Sequence, residues 1–208
     1  MIAKTKYSIC LLSVVMTCNV FCQASGGLDN YHYFNNKIGY SWAPALHLVS
    51  KENIYTSLRY NYEDVQTFSA LAGKSFEKGN LLKATFTPAA GFAAGRYNGF
   101  ILALNTDIQF GLLQFYSQGQ YSFGVGTSPV NCYYSWSDLA CKLSNVFSAG
   151  VALQQRNEWG NSLFSDPGIF AELHFGQWKF PVYYFNSDGR QSTIVAGVNM
   201  EWERKKIK

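Results

Sequence analysis

The stretch "LLQFYSQGQYSFG", Leu112 to Gly124, alternates residue by residue. Leu113, Phe115, Ser117, Gly119, Tyr121 and Phe123 form one set, and Gln114, Tyr116, Gln118, Gln120 and Ser122 the other. A period of two is that of a β-strand. One face is apolar or small. The other is polar and carries no charge, whereas the second face of a soluble sheet ordinarily shows water its Lys and Glu. Whatever this chain folds into must offer a place for a polar, weakly charged strand face.

The alternation recurs along the chain. "KIGYSWAPALHLV" sets Tyr40, Trp42, Leu46 and Leu48 against Ala43, Ala45 and His47. "NIYTSLRYNYED" sets Ile54, Leu58, Tyr60 and Tyr62 against Ser57, Arg59, Asn61 and Glu63. Leu82, Ala84 and Phe86 oppose Lys83 and Thr85, and Leu102, Leu104, Ile108 and Phe110 oppose Asn105, Asp107 and Gln109. Val151 and Leu153 precede Gln154 and Arg156; Ala171, Leu173 and Phe175 oppose Glu172 and His174; Ile194, Ala196, Val198, Met200 and Trp202 oppose Gly197, Asn199 and Glu201. Turn signals such as "SKEN", "EKGN", "GRYNG" and "NSDGR" separate the runs. No helical period competes, so the fold class is all-β: an up-and-down antiparallel meander that must close or leave sticky edges.

Composition decides which way the faces point. Charged residues are 14% of the 208, against about 25% in soluble domains, and aromatics are 17%. A soluble lipocalin-like barrel keeps its apolar face inside and its charges outside; a membrane barrel reverses this. The weakly charged polar face fits a narrow lumen, and the apolar face then meets lipid, which forces closure because no backbone group can stay unpaired there. The connections around 125–131, 157–167 and 187–191 are long and those around 110–112, 142–145 and 176–179 short, the asymmetry of outer-membrane barrels. Ten strands run from Ile54 to Trp202. The segment 37–49 and one more near 28–35 bring the expectation to about twelve, with ten plus an N-terminal segment as the alternative. Pro44 and Pro88 fall inside proposed strands, where a missing N–H is awkward.

The first 24 residues read as a secretory signal peptide: Lys4 and Lys6, an apolar core, then Cys22 and Ala24 two apart. The barrel domain is then 25–208 and the expected location the bacterial outer membrane. Without Lys4 and Lys6 the chain holds 15 basic and 13 acidic residues, four of the basic ones being Arg204, Lys205, Lys206 and Lys208. Nothing in that balance suggests nucleic acid. The expected partners are outer-membrane lipid and the barrel-assembly machinery. Cys132 and Cys141 lie in one proposed strand, roughly 30 Å apart, too far for a disulfide. No CxxC or HxxxH spacing occurs, so no metal and no cofactor is expected.

Several stretches resemble a family of bacterial outer-membrane barrel proteins: "RYNYED" (59–64) with Thr67 and Gly73, "FTPAAG" (86–91), "LQFYSQGQYSF" (113–123), "YYSWSDL" (133–139) and "VALQQR" (151–156). The resemblance implies a barrel and a signal peptide, and it implies no activity. Such barrels end on an aromatic residue that assists assembly; here Trp202 is followed by six residues, Glu203 to Lys208.

The candidate lumen network comprises Arg59, Asn61, Glu63, Lys83, Asn105, Asp107, Gln109, Gln114, Gln118, Gln120, Arg156, Glu172 and His174, with His47, Tyr116, Gln154, Asn199 and Glu201 on the same face. Three functions compete. A satisfied polar core fills the lumen, with Arg59 and Arg156 neutralising Glu63, Asp107 or Glu172. A small monomeric porin leaves it open, although mixed charge signs argue against an ion-selective ring. A lipid-modifying enzyme needs a Ser, His and acid set, for which His174 beside Glu172 is the one pair to examine. Arg59 and Glu63, four apart on one strand and ~13 Å apart in backbone, are expected to meet partners on neighbouring strands and not each other.

Overall fold

The computed structural model describes residues 24–36, 39–126, 129–158, 162–186 and 192–203. The expected signal peptide, up to residue 23, and the basic tail from Arg204 lie outside them. Fourteen strand segments follow one another: β1 (Ser25–Asn35), β2 (Gly39–Val49), β3 (Ile54–Tyr60), β4 (Thr67–Lys74), β5 (Phe76–Lys78), β6 (Leu82–Gly95), β7 (Gly99–Phe110), β8 (Leu113–Gly124), β9 (Cys132–Lys142), β10 (Phe147–Glu158), β11 (Phe164–Phe175), β12 (Trp178–Phe185), β13 (Thr193–Gly197) and β14 (Asn199–Trp202). β4 with β5, and β13 with β14, each make one barrel strand, so the barrel has twelve. Every pairing is antiparallel and between chain neighbours, except that β1 pairs with β2 on one side and with β13 and β14 on the other, which closes the sheet. Trp202 is the last strand residue, opposite Gly26.

The strand prolines explain where the ladders stop. Pro88 pairs with Leu104 of β7, but its other side faces the gap between β4 and β5, where the register from Gly73↔Ala89 to Phe76↔Phe86 skips Lys74 and Ser75. Proline has no N–H to give there, and Ser75 donates its own N–H to the Asn53 carbonyl instead, at 2.8 Å. Pro181 pairs with Glu172 and in the same way faces the break between β13 and β14. Pro44 pairs with Asn30, and the β2–β3 ladder begins one residue later at Ala45↔Arg59. Pro44 and Pro88 are therefore strand residues.

The longest connections share one end. The other end carries only short turns, 50–53, 79–81, 111–112, 143–146 and 176–177; the first carries 61–66, 125–131, 159–163 and 186–192, together with the short 36–38 and 96–98. The two-residue turns place Gly111 at φ 59° and Gly176 at φ 62°, as tight hairpins require. The outward face is apolar all round: Phe100, Ile169 and Phe68 are more than half exposed, as are Leu102, Phe92 and Val182. The inward face holds two packed clusters. Trp136, Ala152, Phe170, Tyr183, Phe185 and Val195 form one, and Leu71, Ala89, Ala93 and Ile101 the other.

Candidate functional site

The lumen is built in two layers. Nearest the long-loop end its side chains are buried against one another. Arg59, only 3% exposed, donates through Nη2 to Glu63 Oε1 at 2.6 Å and through Nε to Ser69 Oγ at 3.3 Å. Gln120 Nε2 donates to the same Glu63 oxygen at 3.4 Å, and the guanidinium carbon lies 5.2 Å from the Tyr62 ring centre. This corrects the expectation that Arg59 and Glu63 find separate partners. β3 ends at Tyr60, and Asn61 takes a left-handed φ of 61°. The chain therefore turns back instead of running on, and the ~13 Å strand spacing does not apply. Asn61 is a turn residue and not a lumen group: its Oδ1 accepts the Gln66 N–H at 2.6 Å and its Nδ2 donates to the Trp42 carbonyl at 2.7 Å. Tyr62, expected on the lipid face, lines the lumen cavity instead.

Opposite the arginine stands an aromatic wall. Trp136 and Tyr183 meet edge to face at 4.8 Å, Phe170 stacks on Tyr183 at 4.9 Å, and Phe185 contacts Trp136 at 5.2 Å. Phe185 and Val195 are fully buried. Gly168 makes room for this packing, since a Cβ there would fall 2.5 Å from the Phe185 ring. At the loop rim Tyr97 folds against the smaller apolar cluster, and burial pushes its phenol up to about 12.

Toward the short-turn end the packing opens into a cavity of about 360 Å³. Its walls hold five carboxylates, Asp29, Asp107, Asp138, Glu172 and Glu201, against two side-chain cations, Arg59 and Lys179. Asp138 accepts from Trp136 Nε1 at 2.8 Å and from the Tyr183 hydroxyl at 3.0 Å. Asp107 accepts from Gln114 Nε2 at 2.7 Å. Lys179 pairs with Glu201 at 2.7 Å, and His47 lies 3.5 Å from Asp29. Asn105 donates to the Tyr55 hydroxyl at 3.3 Å, while its buried carboxamide oxygen has no donor among the described residues.

The structure thus gathers Arg59, Glu63 and Gln120 at the sealed end, and Asn105, Asp107, Gln114, Gln118 and Glu172 around the cavity. Lys83 and Gln109 face each other at the turn rim, exposed, and Arg156 is exposed at the loop rim opposite Tyr134. His174 contacts Glu172 at 3.2 Å and Ser148 at 3.1 Å, both through Nε2. A relay needs the acid and the hydroxyl on different ring nitrogens, so this trio does not have the geometry of a nucleophilic site. Cys132 and Cys141 are not joined to each other. Sequence reading missed the inward aromatics. In "KFPVYYF" both parities are apolar, so alternation cannot tell inward Tyr183 and Phe185 from outward Tyr184.

No protein-family model matches the chain, and no curated protein sequence does. Solved structures do. The NanC porin superimposes with a TM-score of 0.66 at 9% identity, covering 84% of this chain and 100% of that one. The KdgM porin superimposes with a TM-score of 0.61 at 12% identity, covering 85% and 99%. The same porin in complex with disordered oligogalacturonate gives 0.61 at 11% over the same shares. At these identities the likeness is one of fold: a closed, twelve-stranded antiparallel barrel.

Proposed function

We propose that the chain is an integral outer-membrane barrel whose lumen is sealed by its own side chains at the long-loop end and left as a blind vestibule at the short-turn end. The observation that carries this is the packed layer of Arg59, Gln120, Ser69, Phe185 and Val195, none more than 5% exposed, with the Glu63 side chain 2% exposed among them. The outward apolar wall, the even strand number and the placement of Ser25 and Trp202 at the short-turn end support the membrane reading. Fold likeness to two porins supports it too. On this reading the short turns face the periplasm, and lipid and the assembly machinery are the partners. Heat-modifiable migration and fractionation test the membrane assignment: recovery as a soluble periplasmic protein without detergent overturns it and favours a lipocalin-like binder. Planar-bilayer recording tests the seal. The expected trace is flat; a steady conductance in the open-porin range overturns the closed lumen.

A second reading, a gated solute channel, has one specific support. Tyr62 and Glu63 belong to the turn 61–66 and not to the wall, so part of the seal is removable in principle. The double variant Tyr62→Ala/Glu63→Ala separates the readings. If the wall residues suffice, it stays non-conducting; if the turn is a gate, it conducts.

A further inference from the structure

We infer that the vestibule is a binding site for a small organic cation carrying ammonium groups, entering from the short-turn end. The inference rests on the barrel reading but not on the seal, since the cavity and its walls stay the same if the loop end opens.

Size comes first. About 360 Å³ is at the lower end of the ~300–1,000 Å³ found for small-molecule sites, too much room for a bare ion and enough for a short chain of heavy atoms. Charge decides the sign. Arg59 is taken by Glu63 and Lys179 by Glu201. Asp107 receives its hydrogen bond from Gln114, a neutral group that cancels no charge. Asp29 and Glu172 have histidines as their nearest partners, His47 and His174. The remaining inward cations of the turn end, Lys83 and Lys142, stand exposed at the rim, where long stems keep ammonium groups in water. An anionic sugar therefore meets net repulsion inside, and a cation meets attraction that low-dielectric walls strengthen.

The wall material then narrows the cation. Tyr31, Tyr116, Trp136 and Tyr183 line the same cavity as the carboxylates. A strongly hydrated inorganic ion gains nothing from aromatic faces. An ammonium on a carbon skeleton gains both the apolar contact and the attraction of a cation to the ring face. The buried Asn105 carboxamide oxygen, with no donor among the described residues, supplies a further acceptor on the wall for an N–H group.

Calorimetric titration of the full folded barrel in an uncharged detergent tests the inference, with spermidine as the probe and galacturonate, galactose and magnesium chloride as comparisons. The expected result is saturable binding of spermidine at one site. It should be at least tenfold tighter than galactose or magnesium, and galacturonate should give no measurable heat. Asp107→Asn/Glu172→Gln should weaken spermidine at least tenfold, and Tyr116→Leu severalfold, while Glu52→Gln in the exterior turn changes nothing. Heat-modifiable migration verifies that each variant is folded; should the double variant fail that check, Asp107→Asn alone and Tyr116→Leu carry the test. No saturable binding, equal affinity for magnesium, or affinity indifferent to the vestibule variants overturns the inference. Conductance is recorded separately, so failure here and failure of the seal are distinguishable.

Discussion

Replacing Arg59 by alanine tests the sealed end most directly. The guanidinium is 3% exposed and its partner carboxylate 2%, at 2.6 Å. Taking one member from a buried pair costs about 3–5 kcal/mol, because the other charge stays behind in low dielectric. Glu63 would keep only the 3.4 Å contact from Gln120, and its second carboxylate oxygen already has no partner among the described residues. Arg96 is the internal control: it also pairs with an acid, Asp64, at 3.3 Å, but with 64% and 40% of the two side chains exposed. Exposed pairs contribute about 0–1 kcal/mol. With a urea dependence of about 1–3 kcal/mol per molar, Arg59→Ala should lower the unfolding midpoint in micelles by roughly 1–5 M, and Arg96→Ala, at the same dependence, by no more than about a third of that shift. Adding Glu63→Gln to Arg59→Ala should recover part of the loss by removing the stranded charge. Equal midpoints for the two arginine variants would refute the reasoning, since water would then be reaching Arg59 as freely as Arg96.

Three further outcomes follow from the packing. Phe185→Ala, at a fully buried ring in the aromatic wall, should cost about 3–5 kcal/mol by the same unfolding assay. Gly168→Ala should also destabilise, because its Cβ would stand 2.5 Å from that ring, and Phe185→Leu in the same chain should restore part of the loss. Leu104→Arg, outward and 47% exposed near the middle of β7, should cost about 2–4 kcal/mol in lipid vesicles, while Lys83→Ala at the turn rim should be neutral.

Much of this architecture could be read from period alone. In β8 the outward Leu113, Phe115 and Phe123 and the inward Gln114, Gln118 and Gln120 stand as the alternation requires, and a meander of such strands can satisfy its edges only by closing. Asp107 and Glu172 reach the cavity for the same reason. Two things were not legible. Alternation continues through "RYNYED", yet β3 stops at Tyr60, because the fold turns on Asn61 in a left-handed conformation. Asn is a residue that tolerates that region, and that was the available signal. The second was the inward aromatic wall, since a strand apolar on both faces has no period to read.

On the proposed reading, the end at which the lumen is sealed determines what the molecule can do: side chains from strands and turn together close the long-loop end, where Arg59, Glu63 and Gln120 are held by mutual hydrogen bonds. At the other end Glu201 and Lys179 remain partly exposed beside a cavity of about 360 Å³. Such a barrel exchanges solutes only with the compartment its short turns face. Transport would require the turn 61–66 to withdraw, breaking the Arg59–Glu63 pair and leaving the guanidinium with Ser69 alone. That is the same several-kcal/mol cost worked out for Arg59→Ala, so a ligand that merely occupies the vestibule could not open the barrel unless it bound the withdrawn state more tightly by a comparable amount. Binding without passage is the activity that the proposed sealed lumen would favour.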